Sequence, residues 1–196
     1  AVLNLEFLPD YDEWARWYYG ACSTDPMSLA VPAFLAIRKS HFSQNPSQGS
    51  ENGAFATPRT WAMLGRVLHR MDAFVKAGNM GVVIDVAAGL VGTGVATEFG
   101  AFLKTKNAMA SGADLLKDPQ KALPADVRDG CKPDQIMAMI ASVCEEAAMV
   151  YHRAVRDVDN DLAMKALADG LRAMVWVCGS NREYVGMGTQ MLQGLG

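Results

Sequence analysis

The chain has 196 residues, 51% of them hydrophobic and 20% charged, and 18 Lys and Arg against 21 Asp and Glu leave a net charge of −3. This is the composition of a folded globular protein, not a disordered one, and a slightly acidic chain is a poor general nucleic-acid binder. A chain this long buries about 70% of its unfolded surface, enough for a core without metal or disulfide staples.

The four cysteines, Cys22, Cys131, Cys144 and Cys178, include no C-x-x-C pair. No zinc site or disulfide framework is expected; the thiols read as free and buried in a reducing cytoplasm. No apolar run is long enough to span a bilayer, so no membrane partner is expected.

Val2 to Leu8 alternates apolar and polar residues, with Leu3, Leu5 and Phe7 on one face, and predicts a short strand. A lone strand is not stable alone, and so abrupt a start predicts a fragment of a longer protein. Asp10 caps a helix over Tyr11 to Gly20, where Trp14, Trp17 and Tyr18 share a face as core or as a docking surface. Asp25-Pro26 opens the next, from Met27 to about Lys39, with a kink or a short break expected at Pro32. Ser40 to Gly53, rich in Ser, Gly and Gln, reads as a loop and hinge.

A helix follows from Pro58 to about Lys76, its stripe Trp61, Leu64, Leu68, Met71 and Val75, closed by Gly78-Asn79. Gly92-Thr93-Gly94 lacks the third glycine of a dinucleotide fingerprint, and no G-x-x-x-x-G-K-[ST] loop occurs. The glycines read instead as a tight turn between two closely packed helices, the second carrying Phe99, Phe102 and Leu103. Ala108 to Pro124 is looser, with a helical turn before Pro119. Lys132-Pro133-Asp134 opens a helix to about Val155, on which Glu145 and Glu146 read as a solvated edge. Asp157 to Asp161 is an acidic turn without the Gly and Glu of an EF-hand. Two more helices are expected, at about Leu162 to Val177 and Asn181 to Leu192.

The stretch with most chemical content is Ala54 to Trp61. Thr57 suits an N-cap and Pro58 the first helical position. Arg59 then falls in the first turn, where the helix dipole disfavours a cation. Free backbone N–H groups beside a guanidinium make a site for an anion, above all phosphate. An ordinary surface arginine on a capped helix is the structural alternative.

Three segments in this order resemble the C-terminal half of a MoxR-like AAA+ ATPase of phage or bacterial type. Leu3 to Phe7 followed by Pro9-Asp10-Tyr11-Asp12-Glu13-Trp14 is similar to the last core strand and its exit helix. Phe55-Ala56-Thr57-Pro58-Arg59-Thr60-Trp61 looks like the sensor 2 motif opening the lid. Gly89 to Gly92 with Ala96 to Phe99 and Ala101 to Leu103 is similar to the helical pair after it. The resemblance implies a mostly α fold, a helical lid-type bundle with one N-terminal strand left over from an α/β core. The divisions would be 1–50 (last strand and linking helices), 51–119 (sensor 2 lid) and 120–196 (helical extension).

By the same resemblance Arg59, positioned with Thr57 and Pro58, would contact ATP, with Mg, in a parent ATPase. Its partners would be the AAA+ core, neighbouring subunits and a protein substrate of a chaperone-like machine in the cytoplasm. The family's phosphate loop, magnesium-holding acids and trans-acting arginine all precede the last core strand, so this chain alone is not expected to hydrolyse ATP or bind it tightly. The alternative is a free-standing helical protein-interaction module. A small helical enzyme is disfavoured, because His41, His69 and His152 have no nucleophile or metal motif beside them.

Overall fold

The computed structural model describes residues 9–22, 25, 27–44 and 53–194. These form α1 (Tyr11–Cys22), α2 (Ala30–Ile37), a 3-10 turn (Lys39–His41), α3 (Pro58–Arg70), α4 (Asp72–Lys76), α5 (Met80–Val91) and α6 (Thr93–Ala108). There follow α7 (Gly112–Lys117), α8 (Pro119–Ala122), α9 (Ala125–Asp129), α10 (Pro133–Arg156), α11 (Asn160–Cys178) and α12 (Arg182–Gln193). The protein is a mostly α bundle, with no strand among the described residues. The expected strand at Val2 to Leu8 lies outside them.

Helix α10 is the axis of the bundle, packed against α2, α6, α7, α11 and α12. Residues Met137, Ala138, Met139, Ile140 and Ala141 are all fully buried. Five consecutive residues at 100° each cover the whole circumference of a helix, so α10 is enclosed on every side here. The sequence pattern suggested only one apolar face. A single hydrophobic cluster joins residues from α1 to α12.

Several helix limits differ from expectation for identifiable reasons. Helix α2 starts at Ala30, and Asp25 does not cap it; its carboxylate pairs with Arg66. Pro32 therefore sits in the first turn, where its missing N–H has no helical partner to lose, and the helix runs unbroken to Ile37. The helix expected from Pro58 to Lys76 is broken at Met71 (φ −96°, ψ 10°) into α3 and α4, and Gly78 (φ +75°) closes α4. The start of the expected Ser40 to Gly53 loop is the 3-10 turn, and 45–52 lie outside the described residues.

The glycine turn at α5–α6 is as expected. Gly92 takes φ +88°, and at Gly100 an added Cβ would stand 2.6 Å from Ile84 Cδ1, so the two helices are in close contact. The acidic turn before α11 acts as a cap: Asp159 Oδ1 accepts the Leu162 N–H at 2.9 Å.

Aromatic side chains lock these helices together by their polar tips. Tyr11 Oη donates to Pro32 O (2.8 Å), Tyr18 Oη to Ser28 O (2.8 Å), and Trp14 Nε1 to Pro58 O (3.1 Å). Trp61 Nε1 donates to His41 O (2.9 Å) and Trp176 Nε1 to Leu123 O (2.8 Å). Each fixes a backbone carbonyl of another segment and satisfies an aromatic donor that burial would otherwise strand.

Candidate functional site

Thr57 is extended (φ −140°, ψ 160°) and caps α3 in a reciprocal box: its Oγ1 accepts the Thr60 N–H at 3.1 Å, and its own N–H donates to Thr60 Oγ1 at 2.9 Å. Pro58 occupies the first helical position and has no N–H. Trp61 N–H bonds to Thr57 O at 3.0 Å. Of the donors expected to be free at this helix start, only the Arg59 N–H remains. That corrects the sequence expectation of several free N–H groups, since the capping box engages them.

Arg59 is exposed and has no ion pair among the described residues. Arg38, by contrast, lies 3.1 Å from Asp134 and 3.9 Å from Glu98, which also meets His41 at 3.1 Å. Arg70 closes the last turn of α3, where the dipole favours a cation. Arg59 sits at the opposite, unfavourable end.

The turn that carries Arg59 is held from three sides. Trp14 of α1 grips Pro58 O, inside a cluster of Tyr11, Tyr18 and Phe42 with ring centroids 4.9–6.2 Å away. Trp61, fully buried against Phe34 and Phe99, ties α3 to the 3-10 turn through His41 O. Gln44 donates its N–H to Ala56 O at 2.9 Å and accepts the Ala56 N–H on Oε1 at 3.4 Å. Trp14 thus faces inward, and of the expected aromatic face only Trp17 stands half-exposed.

Two cavities lie elsewhere, and Arg59 lines neither. One, of about 670 Å³, runs between α3, α6, α7 and α10, past His69, Asp72, Lys106, Glu145, Glu146 and His152. At its wall Glu145 accepts three bonds, from Leu29 N–H (2.8 Å), Ser28 Oγ (3.0 Å) and Lys106 Nζ (2.7 Å). Glu145 is therefore not a solvated edge. It takes from α10 the Leu29 N–H at the start of α2, beside Ser28 Oγ, which accepts the Ala30 N–H at 3.3 Å, and it neutralises a largely buried lysine. The other cavity, about 1030 Å³, lies between α11 and the short helices α7 to α9.

Among the described residues no group of three or more His, Cys, Asp or Glu could hold a metal ion, and no helix is long and apolar enough to cross a membrane. All four thiols are free, but Cys131 is only partly buried, contrary to expectation. Burial pushes the Cys22 and Cys178 thiols up to about 12 and Cys144 further still. Thiols so far from ionisation at neutral pH are poor nucleophiles. Comparison with family models, curated proteins and solved structures gives no match.

Proposed function

We propose that the chain is the lid and C-terminal helical part of a MoxR-like AAA+ ATP-binding protein, a chaperone-like remodelling machine, and that Arg59 is its sensor 2 arginine. The observation that supports this is the exposed, unpaired Arg59 on a turn fixed by four tertiary bonds, at the helix end where a cation gains nothing from the fold. The resemblance of 54–61 to the sensor 2 motif is the second support.

Arg59 brings a guanidinium and one N–H to a phosphate. Thr57 and Pro58 contribute by setting the turn, the Thr57 hydroxyl being engaged in the capping box. That fits one phosphate contact and not a nucleotide pocket, so the remaining groups around Mg-ATP belong to the core and the neighbouring subunit. Arg59 would stabilise the charge that develops on the transferred phosphoryl group and tie lid closure to nucleotide state.

In the protein that joins this chain to its ATPase core, Arg59→Ala lowers kcat for ATP hydrolysis by about 10²-fold or more. Arg59→Lys recovers only part, because a point charge does not replace the planar fork. Wild-type turnover by Arg59→Ala, or Mg-ATP turnover by residues 1–196 alone, overturns the proposal. The alternative, a helical interaction module, is favoured by one observation, the exposed apolar residues Met164, Leu171 and Val175 on α11.

A further inference from the structure

The cavity of about 670 Å³ between α3, α6, α7 and α10 has the size of a small-molecule site. Its apolar wall includes Met27, Leu29, Leu68, Met109, Ala148 and Met149. One face of α10 supplies its length. Ser142, Glu145, Met149 and His152 follow there at steps of three, four and three and span about 15 Å.

Most polar groups in this wall are committed to the fold. Ser142 Oγ donates to Ala138 O (3.0 Å), Ser111 Oγ to Asp114 Oδ2 (2.6 Å) and Asn107 Nδ2 to Val75 O (2.8 Å). Glu145 and Lys106 neutralise each other at 2.7 Å, and Asp72 is engaged as well. Three groups are left over. His69, Glu146 and His152 line the cavity and have no hydrogen bond or ion pair among the described residues. Glu146 is held at its base: a Cβ added at Gly112 would stand 3.0 Å from Glu146 Cβ, so α7 packs against it.

The leftover groups set the sign of a ligand. Lys106 is the one lysine or arginine among the described lining residues, and Glu145 cancels it. Near Cys22, Arg66 is paired with Asp25. Arg70 and Arg153 follow the two histidines in sequence, but both are exposed and neither lines the cavity. Exposed charges are screened over about 8 Å at physiological salt, and a charge in a partly apolar wall is screened much less. The uncompensated full charge of the wall is therefore the Glu146 carboxylate, with two imidazoles in the same wall.

We propose that this cavity binds a small organic amine, its protonated nitrogen on Glu146 and its apolar body against Leu68, Met109 and Met149. A carboxylate or phosphate ligand would meet Glu146 as a like charge, and a hydrocarbon would leave the carboxylate without a partner. The unbranched methionines adapt their shape to the apolar body. The site is separate from Arg59, and neither proposal needs the other.

The test uses the full chain and three ligands that share one apolar body: phenylbutylamine, phenylbutanol and phenylbutyrate. Affinity is read by isothermal titration calorimetry and location by the methionine methyl resonances, since Met27, Met109 and Met149 line the cavity and the chain has 12 methionines in all. The amine is expected to bind at least about tenfold more tightly than the alcohol, and the carboxylate more weakly than either. The methyls of Met27, Met109 and Met149 should shift and the others stay. Glu146→Gln should bring the amine down to the level of the alcohol. Glu146 has no bond in the fold to lose, circular dichroism checks that the variant is folded, and the ranking of the three ligands on the wild-type chain stands without any variant. No binding of the amine, equal or tighter binding of the alcohol or the carboxylate, a preference that survives Glu146→Gln in a folded variant, or shifts confined to other methionines overturns the proposal.

Discussion

At the scale of single residues, the most consequential side chain is one that sequence pattern assigned to the surface. Glu145 holds α10, α2 and Lys106 together through three bonds. Glu145→Ala leaves the Leu29 N–H and a largely buried ammonium without a partner, and a loss of about 2–4 kcal/mol is expected in denaturant unfolding. Glu145→Gln keeps one acceptor and should lose less. A variant as stable as wild type would show that water replaces all three bonds. Thr57 and Pro58 were legible in sequence because capping is local chemistry. Glu145 was not, because its partners lie 39 to 117 residues away in the chain. Arg59 is intermediate: its place in the first turn follows from the proline and the cap, but its lack of an ion pair is a property of the fold.

At the scale of elements, the close approaches depend on glycine. An added Cβ at Gly112 would stand 2.1 Å from Ser142 O, a backbone atom of α10 that cannot swing aside. Gly112→Ala should separate α7 from α10 and cost about 1–3 kcal/mol or more. Gly89, near the end of α5, meets nothing within 4 Å, so Gly89→Ala should instead stabilise by about 0.5–1 kcal/mol through helix propensity. Thermal midpoints moving in opposite directions check both, and a shared direction would contradict this packing. Most helices were legible, since the 3.6-residue stripes of α3, α6 and α10 and the caps at Asp159 and Asn181 are written locally. The break at Met71 carries no glycine or proline to announce it. The true start of α2 joins a local acceptor, Ser28 Oγ, to Glu145, which is far away in sequence.

At the scale of the whole molecule, burial of titratable groups shapes the response to pH. Tyr18 and Tyr19 are pushed well above 10 and Tyr11 is also raised, chiefly by burial, as are the Cys22, Cys144 and Cys178 thiols above 9. Groups whose pKa is higher in the folded state hold their protons more tightly there. Their contribution is therefore complete below about pH 9 and is lost as pH rises toward 12 and beyond. The thermal midpoint should fall steadily from pH 9 upward, and a midpoint unchanged between pH 8 and pH 11 would contradict the burial of these side chains. The same burial predicts that native protein reacts with a thiol reagent first at Cys131.

The central claim is that this bundle serves as the lid of a nucleotide-driven machine, and the most direct measurement of it is the coding sequence upstream of Ala1. The account predicts an open frame that continues upstream and encodes a G-x-x-x-x-G-K-[ST] loop after a strand, about one domain before Ala1. A start codon at or just before Ala1, with no such loop in frame, would contradict it. Arg59 would then have no phosphate to meet, and a free-standing helical protein-interaction module would become the leading account of what the protein does.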